Sequence, residues 1–303
     1  MSVATIICAI GIGSVVLILL SRKWCLPRDR SLVIVSLSAV LALGCGLALT
    51  HWGFACPAIF VLTGISHAIG FVGALLWLFY RDPERSVPAD TGLVVSPADG
   101  TVIYLRRLEA GEPLRSEKNG AVMTLEEVRG TAFAAEPLWQ VGISMVFTDV
   151  HVNRAPVAGR VTLVKHVPGQ FLSLRRKEAL NRNERQTLLI EGDAIRIMLV
   201  QIASRLVRQI VAYVKEGQTV ERGQRVGMIR FGSQVDLFMP VDRIEHPCIA
   251  VGQKLTAGVT VVARLGKSTI SDQNYISSPL GSCHLPGNSP ARWREMGGRE
   301  STR

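Results

Sequence analysis

The residues whose types most clearly suggest a chemical reaction are a Gly-Ser pair, Gly232-Ser233, which lies between two apolar stretches of the chain. Glycine has no Cβ, so its carbonyl carbon can be approached closely and its backbone tolerates strained dihedral angles. The serine that follows carries a hydroxyl that could attack this carbonyl. We interpret the pair as a site where the chain cuts itself. The simpler interpretation is a Gly-Ser bulge in a β-hairpin.

Three apolar stretches precede this pair and predict membrane-spanning helices. They cover residues 3–20, 31–50 and 54–80. Each is near the roughly 20 residues that a helix needs to cross a bilayer. A cleaved signal peptide is the competing interpretation of the first stretch, but no positive residue precedes its apolar part. Arginines and lysines at 22–30 and arginines at 81–85 predict the cytoplasmic side, and the link at 51–53, which has neither, predicts the outside.

The composition narrows the classes of partner. A net charge of +10 favours anionic partners such as a membrane surface or an acidic substrate. Nucleic acid is not predicted, because the positive residues are scattered rather than gathered in a run with aromatic residues. The six cysteines form no Cys-x-x-Cys motif and are interpreted as reduced thiols. One adjacent pair, Cys283-His284, is too little to predict a metal site.

The region after the helices predicts strands, because short alternating or β-branched runs are cut by glycine and proline. A hairpin is predicted at 187–202 around an acidic turn, and residues 106–137 predict irregular structure with one short helix at 125–129. Residues 215–227 resemble the strand-turn pattern of lipoyl/biotinyl-type barrels, although the lysine that such a carrier needs is missing from the expected place.

The predicted fold class is therefore α+β, mainly β. A transmembrane anchor at 1–81 precedes a lipoyl/biotinyl-like β-barrel-type catalytic domain at 82–267. Residues 268–303 are rich in serine, glycine, proline and arginine and predict a disordered tail.

Six short motifs, in this order after the membrane spans, resemble the short form of the phosphatidylserine decarboxylase family, which are pyruvoyl-dependent membrane enzymes. The motifs lie at 79–85, 96–100, 147–154, 167–169, 183–185 and 230–233. The resemblance runs from about residue 79 to residue 265, which is most of the region after the helices. Each motif is weak alone, but six in this order are specific.

The resemblance implies self-cleavage between Gly232 and Ser233, giving a heterodimer of a β fragment, 1–232, and an α fragment, 233–303. It implies that Ser233 becomes a covalent pyruvoyl group (pyruvate as cofactor), which forms a Schiff base with phosphatidylserine and releases CO2 and phosphatidylethanolamine. It further implies the inner cell membrane, with the catalytic domain on the cytoplasmic face. Asp99 and His151 match the family's Asp-His pair that activates the serine. His151 could also reprotonate the product.

The chain departs from the long form of the family at the residue three positions after His151. The long form has a second histidine there, and this chain has Arg154. The identity of the base is therefore open. The rival candidates are His166 and His246 for the base and Asp149 and Asp236 for the acid. The candidates for binding the substrate phosphate are Arg81, Arg85, Arg154, Arg175 and Arg176, and the sequence does not rank them.

Two other functions fit parts of the sequence. A membrane-tethered lipoyl-like carrier or binding domain that never cleaves would fit residues 215–227, but the carrier lysine is missing. A pyruvoyl decarboxylase of a soluble amino acid would fit the Gly-Ser pair, but a soluble substrate gives no reason for membrane spans.

Overall fold

A computed structural model gives the fold and describes residues 2–23, 26–118, 121–125, 132–169, 184–203, 209–230 and 233–266. The predicted tail at 268–303 lies outside the described residues, and so does all but the first residue of the predicted helix at 125–129. Arg175 and Arg176 also lie outside them, as do Phe231 and Gly232.

Three long helices form at the predicted apolar stretches. They are α1 (Ser2–Lys23), α2 (Arg28–His51) and α3 (Cys56–Tyr80). All three are long and apolar enough to cross a membrane. Proline marks two of the starts, because Pro27 caps α2 and Pro57 lies in the first turn of α3, where its missing N–H costs no helical bond. The short links put the end of α1, the start of α2 and the end of α3 at one end of the bundle.

Small residues let the three helices pack closely. A Cβ added to Gly46 of α2 would lie 2.8 Å from Cγ1 of Ile6 and 2.9 Å from Oγ1 of Thr63. A Cβ on Gly13 of α1 would lie 2.9 Å from Nδ1 of His67 on α3. Contacts of this kind are expected where apolar burial cannot drive helix association, because lipid is as apolar as the side chains.

The chain then forms a series of short strands. They are β1 (Leu93–Val95), β2 (Gly100–Leu108), β3 (Arg115–Lys118), β4 (Ala121–Thr124), β5 (Leu138–Met145), β6 (Val152–Arg154), β7 (Gly159–Val167), β8 (Arg185–Glu191), β9 (Arg196–Ala203), β10 (Gln209–Ala212), β11 (Thr219–Val220), β12 (Arg225–Arg230), β13 (Ser233–Pro240), β14 (Ile244–Pro247), β15 (Lys254–Leu255) and β16 (Val261–Leu265).

The strands form a curled antiparallel sheet and three smaller sheets. The large sheet has eight strands in the order β11-β7-β8-β9-β13-β5-β2-β15. The smaller sheets are β1-β16-β14, β10-β12-β6 and the pair β3-β4. Side chains of the large sheet pack on both faces, since Val235 and Leu237 of β13 lie in one buried cluster and Phe238 lies in another. This alternation follows from the pleat of a strand.

The structure confirms the mainly β character of the region after the helices, including the predicted hairpin, which is formed by β8 and β9. Residues 106–137 differ from the prediction of irregular structure. They contain the end of β2 and the hairpin of β3 and β4, in which Arg115 pairs with Thr124. The four residues of β3 are all polar or charged, so the sequence lacks the alternation of apolar and polar residues that predicts a strand.

Candidate active site

The predicted cut lies between two strands that belong to different sheets. β12 ends at Arg230 in the sheet with β6 and β10, and β13 begins at Ser233 in the large sheet, between β5 and β9. β12 and β13 are not neighbours in either sheet. The simpler interpretation of Gly232-Ser233 as a bulge within a hairpin is therefore wrong, because these residues connect two sheets.

The start of β13 lies at the carboxyl end of β5. Ser233 pairs with Met145 of β5 on one side and with Ala203 of β9 on the other. On the far side of β5, Thr101 of β2 pairs with Ser144. Because β5 is antiparallel to both β2 and β13, these two strands begin at the same end of the sheet. Asp99 and Ser233 therefore lie at one end of the sheet.

Gly100 fixes the turn that carries Asp99 against β5. Its φ of +152° lies outside the range that side chains favour, and an added Cβ would lie 2.5 Å from the carbonyl oxygen of Ser144. A residue with a side chain could not take this position without displacing the backbone of β5. The glycine therefore keeps the turn close to the residues that pair with the start of β13.

His151 lies beside the strand that leads to the predicted cut. Its carbonyl oxygen accepts a hydrogen bond of 3.1 Å from the N–H of Ile229, near the end of β12. Its side chain is fully buried, and Nδ1 lies 2.9 Å from the carbonyl oxygen of Asp149. A carbonyl oxygen only accepts hydrogen bonds, so Nδ1 carries the ring proton. In the neutral ring, Nε2 then holds the lone pair that can accept a proton.

The last turn of α3 covers the imidazole ring. The ring of Phe79 is centred 4.2 Å from that of His151, and the two planes are inclined by 34°. Phe79 is fully buried and packs with Val150, Val152 and Met228 of the β domain, the region that strands β1 to β16 form. The membrane helices and the β domain therefore meet at the histidine.

Asp99 lies in the same region but bonds to other partners. Its Oδ2 forms an ion pair of 2.9 Å with Arg85, and its Oδ1 accepts a hydrogen bond of 2.8 Å from the N–H of Ala257. In the part of the chain that the structure describes, these bonds occupy both carboxylate oxygens, and neither reaches the ring of His151. The predicted Asp99–His151 pair stays a prediction.

Arg154, at the position of the second histidine in the long form, bonds to the segment that follows α3. It is buried, forms an ion pair of 3.1 Å with Asp82, and donates hydrogen bonds to the carbonyl oxygens of Pro83 and Gly223. Arg225 binds the other oxygen of Asp82 and lies 2.6 Å from Glu84. These arginines tie the segment after α3 to the β domain. A guanidinium group stays protonated in proteins, so Arg154 cannot act as a base.

The two rival histidines lie in other parts of the fold. His166 is on β7, which is separated from β13 by β8 and β9, and its Nε2 lies 2.9 Å from Oε1 of Glu184. His246 is on β14, in the sheet with β1 and β16. Among the three candidate histidines, only His151 adjoins β12, the strand before the predicted cut.

The carboxylates of the two rival acids accept hydrogen bonds from groups other than the candidate histidines. Asp236 is fully buried three residues after Ser233, where its carboxylate accepts hydrogen bonds from Tyr104, Ser116, Gln140 and Gln234. Burial raises the pKa of Asp236, and these four donors oppose the rise.

Asp149 lies closer to the histidine, in the turn that leads to it. Its carboxylate closes this turn by accepting a hydrogen bond of 2.8 Å from the N–H of Val146. Burial raises the pKa of Asp149. The position of this acid two residues before His151 makes it part of the frame that holds the ring.

Sequence reasoning missed the contacts that position these groups. A buried chain of amides runs from Gln186 through Gln201 to Asn153, whose Nδ2 lies 3.4 Å from the carbonyl oxygen of Pro97. Arg30, on the first turn of α2, reaches the carbonyl oxygen of Thr148 at 2.9 Å. Asn153 lies within the 147–154 motif, so the sequence already indicates a role for it. Nothing in the sequence near Arg30 signals a contact across more than 100 residues.

These features define a β domain fused to membrane helices. A serine and an aspartate lie at one end of the large sheet, and a buried histidine lies beside the strand that precedes the serine. A sequence model described as "Phosphatidylserine decarboxylase" matches residues 72–263. The chain belongs to the phosphatidylserine decarboxylase family.

Several relatives share the name "Phosphatidylserine decarboxylase proenzyme". That of Erythrobacter litoralis is 39% identical over 208 residues, which cover 68% of this chain and 79% of the relative. That of Novosphingobium aromaticivorans is 37% identical over 244 residues, covering 80% and 87%. That of Pelobacter propionicus is 37% identical over 215 residues, covering 71% and 86%.

Proposed function

We propose that the chain cuts itself between Gly232 and Ser233 and that the resulting enzyme converts phosphatidylserine to phosphatidylethanolamine and CO2. The observation that carries the proposal is the position of Ser233. It begins β13, the strand that follows β12 in the chain, and His151 is bonded to β12. The membership of the decarboxylase family, in which the relatives are named proenzymes, supports it.

The topology suits a cut at this link. After cleavage the α fragment would begin at Ser233, and β13 would still be paired with β5 and β9 along its length. The β fragment would end just after β12, which is held by β6 and β10. Since the two new ends belong to different sheets, they can separate without opening a hairpin, and the fragments stay together as a heterodimer.

In the cutting step, His151 removes the proton from the Ser233 hydroxyl through Nε2, because Nδ1 is protonated. The serine oxygen attacks the Gly232 carbonyl, and the peptide nitrogen leaves as an amine, so that an ester replaces the amide. Elimination across the Cα–Cβ bond of residue 233 releases the Gly232 carboxylate. Hydrolysis of the dehydroalanine that remains yields the pyruvoyl group and ammonia.

The residues around the new α-fragment start fit such a group, because β5 and β9 hold the backbone of residue 233 from both sides. The pyruvoyl group supplies the electron sink for the bond to CO2. His151 would then return a proton to the carbon that has lost CO2. Asp99 would hold the 96–100 turn through its bonds to Arg85 and Ala257 and would contribute negative charge to the site.

The enzyme would lie in the inner cell membrane with its catalytic domain on the cytoplasmic face. Arg30 and Arg81 support this orientation, because both lie at the end of the helix bundle that adjoins the β domain. The proposed organisation is a transmembrane anchor at 1–81, a catalytic domain at 82–267 and a tail at 268–303. The catalytic domain would be lipoyl-like, and the positive φ angles of Gly217 and Gly223 support the turns of that pattern.

The experiment uses the full chain, purified in detergent. Denaturing electrophoresis and mass spectrometry should find two fragments, 1–232 and 233–303, the second with a blocked amino terminus. CO2 release should be measured with phosphatidylserine and, for comparison, with free serine. Activity on free serine alone would assign the chain to the decarboxylases of soluble amino acids, and an intact single chain would favour a binding domain that never cleaves.

Two variants locate the cut. Ser233→Ala should remain one chain and release no CO2. Ser144→Ala is the matched control. It removes a hydroxyl from the position of β5 next to Met145, which pairs with Ser233, and it leaves the link between β12 and β13 unchanged. It should process fully. Two-chain protein from Ser233→Ala would show that the cut is elsewhere.

A further inference from the structure

Two arginines from the membrane helices converge on one carbonyl oxygen near the active site. Nη1 of Arg30 donates to the carbonyl oxygen of Thr148 at 2.9 Å, and Nη2 of Arg81 donates to the same atom at 2.6 Å. Arg30 lies in the first turn of α2, and Arg81 directly follows α3. Two groups of like charge are thus held together at the end of the helix bundle.

This pair lies at the junction, the place where the helix bundle meets the β domain. It differs in its hydrogen-bond partners from the other arginines there. Arg85, Arg154 and Arg225 each form an ion pair with a carboxylate. Within the described residues, the hydrogen bonds of Arg30 and Arg81 go to neutral carbonyl oxygens, those of Thr148 and Leu78. Among the residues that the structure describes, no carboxylate forms an ion pair with Arg30 or Arg81, so the two guanidinium groups keep positive charge for an anion.

The electrostatics of Arg81 agree with this description. Burial lowers the pKa of Arg81, and the charge of Arg30 lowers it further, whereas Asp99 and Asp149 oppose the fall. An anion between the two guanidinium groups would relieve their repulsion. Each guanidinium group has five N–H donors in a planar fork, so donors remain for an anion after the bonds to the carbonyl oxygens are made.

The location of the arginine pair indicates which kind of anion it would bind. Thr148 precedes His151 by three residues, and the ring of His151 packs against Phe79, two residues before Arg81. The pair therefore lies between the membrane helices and the reacting groups. A phospholipid in the adjoining leaflet would present its phosphodiester at this level.

We propose that Arg30 and Arg81 bind the phosphodiester of phosphatidylserine and thereby direct its serine group to His151 and residue 233. The inference rests on the proposed function. In the lipid, one oxygen and one carbon separate the phosphorus from the carbon that loses CO2, so a held phosphate limits where that carbon can lie. Two guanidinium forks match the two non-bridging oxygens of a phosphodiester. Arg30 lies outside residues 72–263, which the family model matches, so this contribution comes from the membrane anchor.

The test measures steady-state decarboxylation by the processed full chain in mixed micelles, with the mole fraction of phosphatidylserine varied. Arg30→Gln and Arg81→Gln should each raise KM about tenfold, the loss expected for one charge-assisted hydrogen bond, and should change kcat less than about threefold. Arg30→Lys should fall between Arg30→Gln and the wild type, because it keeps the charge and loses the fork.

Arg28→Gln is the matched control. Arg28 is exposed in the same first turn of α2, two positions before Arg30, so the substitution removes the same charge at the same depth from a different side of the helix. Its KM should stay within about twofold of the wild type. An equal rise in KM for Arg28→Gln and Arg30→Gln would overturn the proposal in favour of general attraction of anionic micelles.

Soluble probes separate a lipid headgroup site from a free phosphate site. Glycerophosphoserine should inhibit the wild type competitively, and this inhibition should weaken in Arg30→Gln. Inorganic phosphate that inhibits as strongly as glycerophosphoserine would assign the pair to free phosphate and overturn the proposal.

Processing provides the remaining distinction. If Arg30→Gln stays a single chain while Arg28→Gln is cut, the pair serves to hold the turn at 146–151 and the substrate-binding proposal fails. If the wild type is cut but releases no CO2 from phosphatidylserine, the proposed function itself fails. If the wild type is active and the KM of both Arg30→Gln and Arg81→Gln is unchanged, only the inference about the arginine pair is overturned.

Discussion

The membrane helices and the β domain differ in the side chains that they expose. In the helix bundle many large apolar residues face outward, as Trp77 (74% exposed) and Leu41 (64%) do, while others such as Phe71 are buried between the helices. In the β domain most of the large apolar residues face inward, as Val235 and Leu237 do. The difference follows from the solvent, since lipid accepts apolar surface and water does not.

Polar groups inside the two regions also find different partners. Buried serine hydroxyls of the helices bond to nearby backbone in their own part of the chain, as Ser38 does with the carbonyl oxygen of Val35. In the β domain, buried polar side chains bond to distant side chains, as Asp236 does with Tyr104 and Gln140. A network of the second kind fixes strands to each other, so it can hold reacting groups in place.

Where the two regions meet, each contributes to the candidate site. The helices supply Phe79 and Arg30, and the β domain supplies His151 and Thr148. The comparison therefore predicts that substitutions at the junction affect the reaction most, that those in the β network affect stability, and that those in the helix bundle affect the anchor alone.

The largest effect is expected at the junction, from His151→Gln. Loss of the proposed base should slow processing by at least about a hundredfold, the usual contribution of a general base. The fraction of two-chain protein, followed by denaturing electrophoresis after synthesis, measures this rate. His246→Gln is the control, because this histidine is on β14 in another sheet. Equal rates in the two variants would remove His151 from the cutting step.

The next effect concerns the stability of the β domain. Asp236→Ala leaves the buried donors of Tyr104, Ser116, Gln140 and Gln234 without their acceptor, so it should lower the free energy of unfolding by about 3 kcal/mol or more. Urea unfolding of the detergent-solubilised protein measures the change.

Asp236→Asn tests the reason for that loss. The asparagine keeps one acceptor oxygen and a similar shape, so it should cost less than the alanine, about 1–2 kcal/mol. If both variants unfold at the same urea concentration as the wild type, the network does not stabilise the β domain and the contrast with the helices fails.

The sequence predicted the two regions unequally well. The helices could be located because an uninterrupted apolar stretch of the right length has few other interpretations, and the hairpin of β8 and β9 followed from its turn. The link between β12 and β13 was placed in a hairpin by the simpler interpretation, because sequence shows which strands are consecutive and not which ones pair. The role of Arg154 was also hidden, since its partner Asp82 lies 72 positions away.

In the helix bundle, Gly46→Leu should disturb packing without affecting the β domain. The added side chain meets Ile6 and Thr63, so it should destabilise the bundle by about 1–3 kcal/mol. Loss of the protein from detergent solution on heating measures the effect. Gly44→Leu is the matched control on the same helix, because a Cβ there would meet no atom of another helix within 4 Å. A loss of processing in Gly46→Leu would show that the bundle and the β domain are not separable.

The smallest effect is expected from Asp149→Asn, at the turn before His151. Burial raises the pKa of Asp149, against the hydrogen bond from Val146 and the charge of Lys254. A carboxyl whose pKa is higher in the folded state binds more protons there than in the unfolded state. Stability is therefore lost as the pH rises from the unfolded value of about 3.9 through the higher folded value.

Asparagine cannot ionise and can still accept the hydrogen bond from Val146, so the substitution should remove this loss. The Tm of Asp149→Asn should equal that of the wild type near pH 4 and exceed it by about 1–3 °C at pH 7. Thermal unfolding of the processed protein at the two pH values measures the difference. A Tm difference that stays constant with pH would mean that the pKa of Asp149 is the same in the folded and the unfolded protein. The hydrogen bond from Val146 and the nearby positive charges would then offset the burial of this carboxyl group.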